Sequence, residues 1–272
     1  MFGRRMKLFT LLGFEVRVDL SWIVIALLVT WSLADGLFPY LYHGLAKAVY
    51  WEMGVAGALG LFASIIFHEF CHSLVARKFG MQMKGITLFI FGGVAEMGGE
   101  PPNAKTEFLM ALAGPVSSLF IGGVFYLLYL SGLKGDWALP VTGVLRYLAW
   151  INALLAAFNL LPAFPLDGGR ILRSILWGAK QDLPWATRIS AGIGSGFGIL
   201  LIFLGILQFF RGDFIGGIWW FLIGLFLRSA AQMSYQQVMI RKALEGEQVR
   251  RFMTPNPITV PSSLTVAELV ED

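Results

Sequence analysis

The 272-residue chain is 57% hydrophobic and 14% charged, with a mean hydropathy of +0.70, whereas a soluble domain carries about 25% charged residues. Too few polar groups exist to cover a water-facing surface, which excludes a soluble globular protein and predicts an integral membrane protein. The formal charge of +4 comes from Lys and Arg scattered between apolar segments, not gathered in a stripe, so nucleic acid is excluded as a partner; the single cysteine excludes an internal disulfide framework.

Gly and Pro recur inside long apolar runs, which favours helices over the alternating segments of an outer-membrane barrel. About 20 apolar residues cross the hydrocarbon core, and six stretches suffice or nearly so: 20–37, 55–76, 107–131, 142–161, 187–209 and 214–231. Arg4, Arg5 and Lys7 give the first run the look of a signal peptide, but no small-residue cleavage site precedes Asp35, so it is read as a retained span. Lys and Arg in successive connections number 4, 1, 4, 1, 4, 1 and 5, with Arg146 alone left inside a span. This alternation predicts a multi-pass protein of the cell membrane with both termini, and the second and fourth connections, in the cytoplasm. The fold class expected is an all-α polytopic membrane protein of six transmembrane helices with a small membrane-associated β-hairpin or sheet.

Residues 11–18 (LLGFEVRV) offer a short strand. Residues 81–99 alternate poorly for a helix and are split by Gly92-Gly93, which predicts a β-hairpin. Such backbone is tolerated at membrane depth only when buried in protein or lining a wet cavity. In domain terms, 1–231 is expected to form the membrane domain, 232–250 a polar helical linker, and 251–272 a Pro-rich turn, strand and helix start too short to fold alone.

The second span ends in His68-Glu69-Phe70-Cys71-His72. On a helix, positions i and i+4 face one way, so His68 and His72 can hold one ion with Glu69 beside it. Ionisable groups within a span are costly and by default functional. Imidazoles with a carboxylate suit zinc, and a catalytic zinc keeps three protein ligands. The metzincin continuation would place glycine and histidine where Val75 and Lys78 stand, and the remaining His43 is expected on the far side of the membrane. The third ligand should therefore be a carboxylate. Glu96 follows His72 by 24 residues, in the hairpin; Asp167 lies where Pro162 and Pro165 break the fourth helix and Gly168-Gly169 permit a tight turn. Spacing leaves both open, and Asp167 can also be read as the cap of the following helix.

HEFCH, FGGVAEM (91–97), ALAGP (111–115) and NLLPAFPLDGGR (159–170) together resemble the site-2 proteases, zinc metalloproteases of intramembrane proteolysis, and the terminal FMTPNPITV with TVAELV resembles the opening of a CBS domain, as in the subgroup with cytoplasmic CBS pairs. The resemblance implies that Asp167 is the third ligand, that one zinc ion is held per chain, and that the substrates are membrane-spanning proteins, in an assembly compatible with oligomers. Adenine nucleotide is implied only where a CBS pair is complete, and here the module stops after its first elements. A further departure is Asp19, where a histidine is often expected ahead of Ser-Trp.

Glu69 is then the expected general base. Asn159 is the candidate oxyanion donor, with bonding to the broken helix as its plainer role. The hairpin, through Gly92 and Gly93, is the candidate edge for pairing with an unwound substrate segment, against a purely structural hairpin. Cys71 reads as a packing residue, and the glycines from Gly192 to Gly198 as small faces for helix contact. Two other classes of function compete: a CBS-regulated ion or metal transporter in which the same residues line a permeation path, and a zinc-binding pseudoprotease that only holds client helices.

Overall fold

The computed structural model describes residues 5–90 and 92–253. Strands β1 (Arg5–Leu11) and β2 (Phe14–Asp19) form an antiparallel hairpin closed by Leu12-Gly13, both at positive φ, 46° and 87°. Two positive-φ residues make the primed turn whose twist suits a hairpin. The stretch 11–18, expected as one strand, is therefore cut by this turn. Phe14, Val16 and Val18 alternate inward on β2, and the Phe14 ring meets Phe70 edge-on at 5.6 Å. β2 pairs in parallel with β3 (Met83–Phe89), Val16 opposite Ile86, and β3 pairs antiparallel with β4 (Gly92–Met97). The sheet order β1-β2-β3-β4 leaves β4 at an edge.

Parallel pairing of β2 with β3 needs a long crossover, and the first two spans supply it. α1 (Leu20–Trp31) is capped by Asp19, whose carboxylate accepts from Ser21 N at 2.9 Å. That gives the residue a role in helix initiation. The rod continues through a π-helical turn, Ser32–Leu37, into α2 (Phe38–Leu41). It packs Leu33 and Phe38 against Tyr50, Met53, Ala58 and Phe62 of α3 (Lys47–Lys78). α4 (Ala104–Lys134) and α5 (Leu139–Asn159) form the next pair. α6 (Asp167–Lys180) is a shorter amphipathic helix, and α7 (Leu183–Phe210) with α8 (Phe214–Leu244) complete the bundle.

Among the described residues, six helices are long and apolar enough to cross a membrane: Leu20–Leu41, Lys47–Lys78, Ala104–Lys134, Leu139–Asn159, Leu183–Phe210 and Phe214–Leu244. Large apolar side chains such as Leu27, Phe120 and Phe203 are more than half exposed, as lipid-facing groups should be. The protein is thus a multi-pass membrane protein with a small mixed sheet. Each helix runs past its expected span at one end or both, most of all α3, which starts at Lys47, not 55, and α8, which continues unbroken into the expected linker as far as Leu244. Of the CBS-like segment expected at 251–272, residues 254–272 lie outside the described residues.

In lipid there is no hydrophobic drive to bring helices together, so close van der Waals approach must do it. On α7 and α8, a Cβ at Gly198 would meet Gly224 O at 2.7 Å and one at Gly205 would meet Gly217 O at 2.7 Å. Of the glycines expected to make helix contacts, Gly198 does so, Gly194 instead packs on the Phe164 backbone in the turn between α5 and α6, and Gly192 and Gly196 face open space.

Candidate metal centre and catalytic cleft

His68 and His72 lie one helical turn apart on α3, 3% and 9% exposed. His72 Nδ1 sits 2.7 Å from Met110 O of α4. A carbonyl only accepts, so Nδ1 carries the proton and Nε2 turns the other way, towards Asp167. His68 Nδ1 is 2.8 Å from Ser118 Oγ, about two helical turns beyond Met110 on α4. The two Nε2 atoms approach to 3.1 Å, and Asp167 Oδ2 lies 3.0 Å from that of His68 and 3.2 Å from that of His72. Ligand atoms of these three residues all fall within 4.8 Å of one another.

Local sequence explains how Asp167 arrives. α5 ends at Asn159, and residues 160–166 turn through Pro162 and a cis Phe164-Pro165 bond before α6 begins at Asp167 itself. The turn is clamped by close backbone approach: side chains at Gly168 and Gly169 would collide with the Leu160 and Leu161 carbonyls and with Phe164 N, and one at Gly194 of α7 with Phe164 O. The helix cap is Leu166, without a side-chain cap bond. Asp167 therefore does not cap α6; its carboxylate is turned onto the imidazoles. Burial alone would push that carboxyl up, but the adjacent His72 and His68 rings outweigh it and hold it well below the usual carboxylate range.

Glu96, the other carboxylate considered, accepts from Thr87 Oγ1 at 2.9 Å across β3 and β4 and does not join the cluster. His43 is exposed in the link between α2 and α3.

A cavity of about 410 Å³ opens on the cluster, lined by Glu69, Asn159, Gly92, Gly93 and Arg170 besides the three cluster residues, and walled on one side by Phe226, Leu227 and Ala230 of α8. The Phe226 and Phe89 rings, 6.0 Å apart, bring α8 to the end of β3. β4 touches Glu69 directly, since a Cβ on Gly93 would lie 2.8 Å from Glu69 Cγ; Gly92 adopts φ 129°, a conformation L residues rarely take. Asn159 donates to Leu155 O at 3.0 Å. An amide has two donor protons, so one remains for the cavity. Asn152, seven residues earlier, is spent elsewhere, bonding Ser64 Oγ at 3.0 Å and Leu148 O at 2.8 Å. Cys71 is half-buried beside Ser117.

Several contributors are not apparent from motif chemistry. Gly114 of α4 leaves the space that the imidazoles occupy, because a Cβ there would overlap His72 Nε2 and lie 2.5 Å from His68 Nε2. Ser118 and the Met110 carbonyl orient the rings, and Arg170 adds the cavity's cation. The only prior signals were a small residue inside ALAGP, a serine pair in an apolar span and the arginine that closes the LDGGR motif.

The model of peptidase family M50 matches residues 56–135 and 133–204. The chain is 38% identical over 259 residues to Rip3 of Mycobacterium tuberculosis, covering 95% of this chain and 66% of that protein. It is 29% identical to a zinc metalloprotease of Methanocaldococcus jannaschii, covering 97% and 70%. The chain thus spans about two thirds of the length of these relatives. Among solved structures, the site-2 protease from Methanocaldococcus jannaschii superposes with a TM-score of 0.57 at 29% identity, over 85% of this chain and 94% of that one.

Proposed function

The chain belongs to peptidase family M50, the site-2 proteases, and from that premise we propose that it is a zinc-dependent intramembrane endopeptidase that cleaves transmembrane segments of membrane-anchored proteins. The observation that carries the reading is the donor set. Both Nδ1 atoms are tied to α4, which leaves two Nε2 atoms and one carboxylate oxygen converging on a buried point. Two imidazole nitrogens 3.1 Å apart beside a carboxylate suit a shared cation, and two His with one carboxylate suit a catalytic zinc. His68, His72 and Asp167 would hold it; Glu96, engaged with Thr87, would not.

When bound, zinc supplies Lewis acidity and makes water a nucleophile near neutral pH. Glu69 stands beside the ligands on the same helix, displaced about 100° from His68, so it faces the cavity and is free to act as base. It takes the proton that water sheds as its oxygen bonds to the peptide carbonyl carbon, and returns that proton to the amine nitrogen as the C–N bond breaks. Asn159 and Arg170 line the same cavity, and Asn159, through its second amide proton, and Arg170 would receive the developing oxyanion.

A helical substrate hides its peptide bonds, whereas an extended one exposes alternate groups. The β4 edge, which runs past Glu69 at Gly93, offers backbone partners for such a strand. His68 lies ten residues before the end of α3, about 15 Å along the helix. α3 runs two residues past the expected end of the span at Ala76, to Lys78. With the termini in the cytoplasm, the cleft opens to that side.

The test is metal analysis of the purified protein with His68→Ala, Asp167→Ala and Glu96→Gln, alongside cleavage of single-span candidate substrates. One zinc per wild-type chain, lost in the first two variants and kept in the third, is expected. Zinc kept in Asp167→Ala and lost in Glu96→Gln would move the ligand role to Glu96.

A further inference from the structure

A second buried charge cluster lies outside the cleft. Arg173 of α6 is 2% exposed and Glu107 of α4 is fully buried. Arg173 Nε donates to Glu107 Oε1 at 2.7 Å, its Nη2 contacts the same oxygen, and Nη2 also donates to Glu100 Oε2 at 2.9 Å in the connection from β4 to α4. The guanidinium also lies 5.1 Å from the centre of the Phe164 ring, in the turn that presents Asp167.

Stability alone is a poor account of this cluster. Arg173 Nη1 and Glu107 Oε2 find no protein partner among the described residues, and a buried ion pair that is incompletely satisfied gains little over apolar packing. A planar guanidinium fork does fix distance and direction better than an apolar contact. Both quantities matter here, because α4 orients and makes room for the imidazoles through Ser118, Met110 O and Gly114, while α6 brings the carboxylate. Metal ligands tolerate only about 0.2 Å of error, so any slip between α4 and α6 falls directly on the distances from Asp167 Oδ2 to the two Nε2 atoms.

We infer that Arg173 is a positioning residue for the metal centre: it locks the Phe164 turn and α6 to α4 through Glu107, and to the exit of the β4 edge strand through Glu100, so that Asp167 is held at ligand distance. The inference rests on the zinc reading above. It is tested on the full-length protein in lipid nanodiscs with Arg173→Lys, Arg173→Met and the pair Glu107→Leu with Arg173→Met, which removes both buried charges. Three quantities are read: the unfolding temperature of the metal-free protein, zinc affinity by chelator competition, and the visible spectrum of the cobalt-substituted centre, which reports ligand geometry.

The double variant should unfold near the wild-type temperature yet bind zinc about 10- to 100-fold more weakly and show an altered cobalt spectrum. Arg173→Lys, which keeps the charge and loses the fork, should fall between. A folded double variant with wild-type zinc affinity and cobalt spectrum would overturn the inference. Should the double variant not fold, Glu100→Gln carries the test, since Glu100 is partly exposed and its loss spares the inner pair. A several-fold weaker zinc affinity with a changed spectrum is then expected, and no change in either overturns the proposal. Wild-type protein that takes up no zinc would instead remove the zinc reading itself.

Discussion

Each imidazole has two nitrogens, and what holds one decides what the other offers. The Met110 carbonyl and Ser118 hydroxyl hold the Nδ1 atoms of His72 and His68. Ser118→Ala should leave the fold intact and weaken zinc binding about tenfold or more, as losses of such outer partners do; chelator competition measures it. Gly114 makes a sharper case, because a methyl there would occupy the place of His72 Nε2. Gly114→Ala should abolish stoichiometric zinc, while Gly123→Ala on the same helix, where a Cβ meets nothing within 4 Å, should keep it. Metal analysis of the two variants side by side separates a site effect from a general loss of helix packing. Glu69 completes the set with the opposite signature. Glu69→Gln should retain one zinc per chain and lose turnover by about 10²- to 10⁴-fold, the usual worth of a positioned base. A variant that cleaves at the wild-type rate would end the proposed mechanism.

At the scale of elements, the question is which parts of the chain must be rigid for these side chains to meet. β4 passes so close to α3 that a Cβ at position 93 would lie 2.8 Å from Glu69 Cγ and one of the two would have to shift. Gly93→Ala should therefore push Glu69 aside without touching the ligands, giving zinc near wild type and at least tenfold lower turnover, a split that metal content and cleavage rate read together. What the sequence revealed at this scale follows from how local each signal is. His68, Glu69 and His72 share one helical turn, and Gly92-Gly93 interrupts an apolar run, so the ligand pair and the hairpin were both legible. The turn at Leu12-Gly13 was not, since leucine at positive φ has no sequence signature and the apolar run reads as one strand. Asp167 lies 95 residues beyond His72, and spacing could not choose between it and Glu96; the motif resemblance pointed to it, and the packed turn around Phe164 gives the physical reason. The Arg173 and Glu107 pair, 66 residues apart, was invisible because a charged residue on an amphipathic helix ordinarily faces water.

For the molecule as a whole, the proposed chemistry has a direction: a cleft buried beside α3 and α4 would have to receive water and release a polar fragment on one side of the bilayer. The Lys and Arg counts alternate between many and few across the six helices. The basic connections on either side of the cleft, between α3 and α4 and between α5 and α7, then both face the cytoplasm under the positive-inside bias. The same bias would put the α4 to α5 turn, with Lys134 and Asp136, on the opposite side. Exposed Lys180 at the end of α6 and exposed Asp136 are separated by this assignment. In a Cys71→Ser background, a cysteine at Asp136 should react with an impermeant maleimide applied to intact cells, and one at Lys180 only after the cells are opened. The α6 position matters most, because α6 begins with Asp167; on the proposed reading, its side of the membrane would be the side from which water reaches the candidate metal centre. Labelling of Lys180→Cys from outside intact cells would invert the topology and, with it, the compartment that receives the cleaved fragment, while leaving the chemistry of His68, Glu69, His72 and Asp167 where it stands.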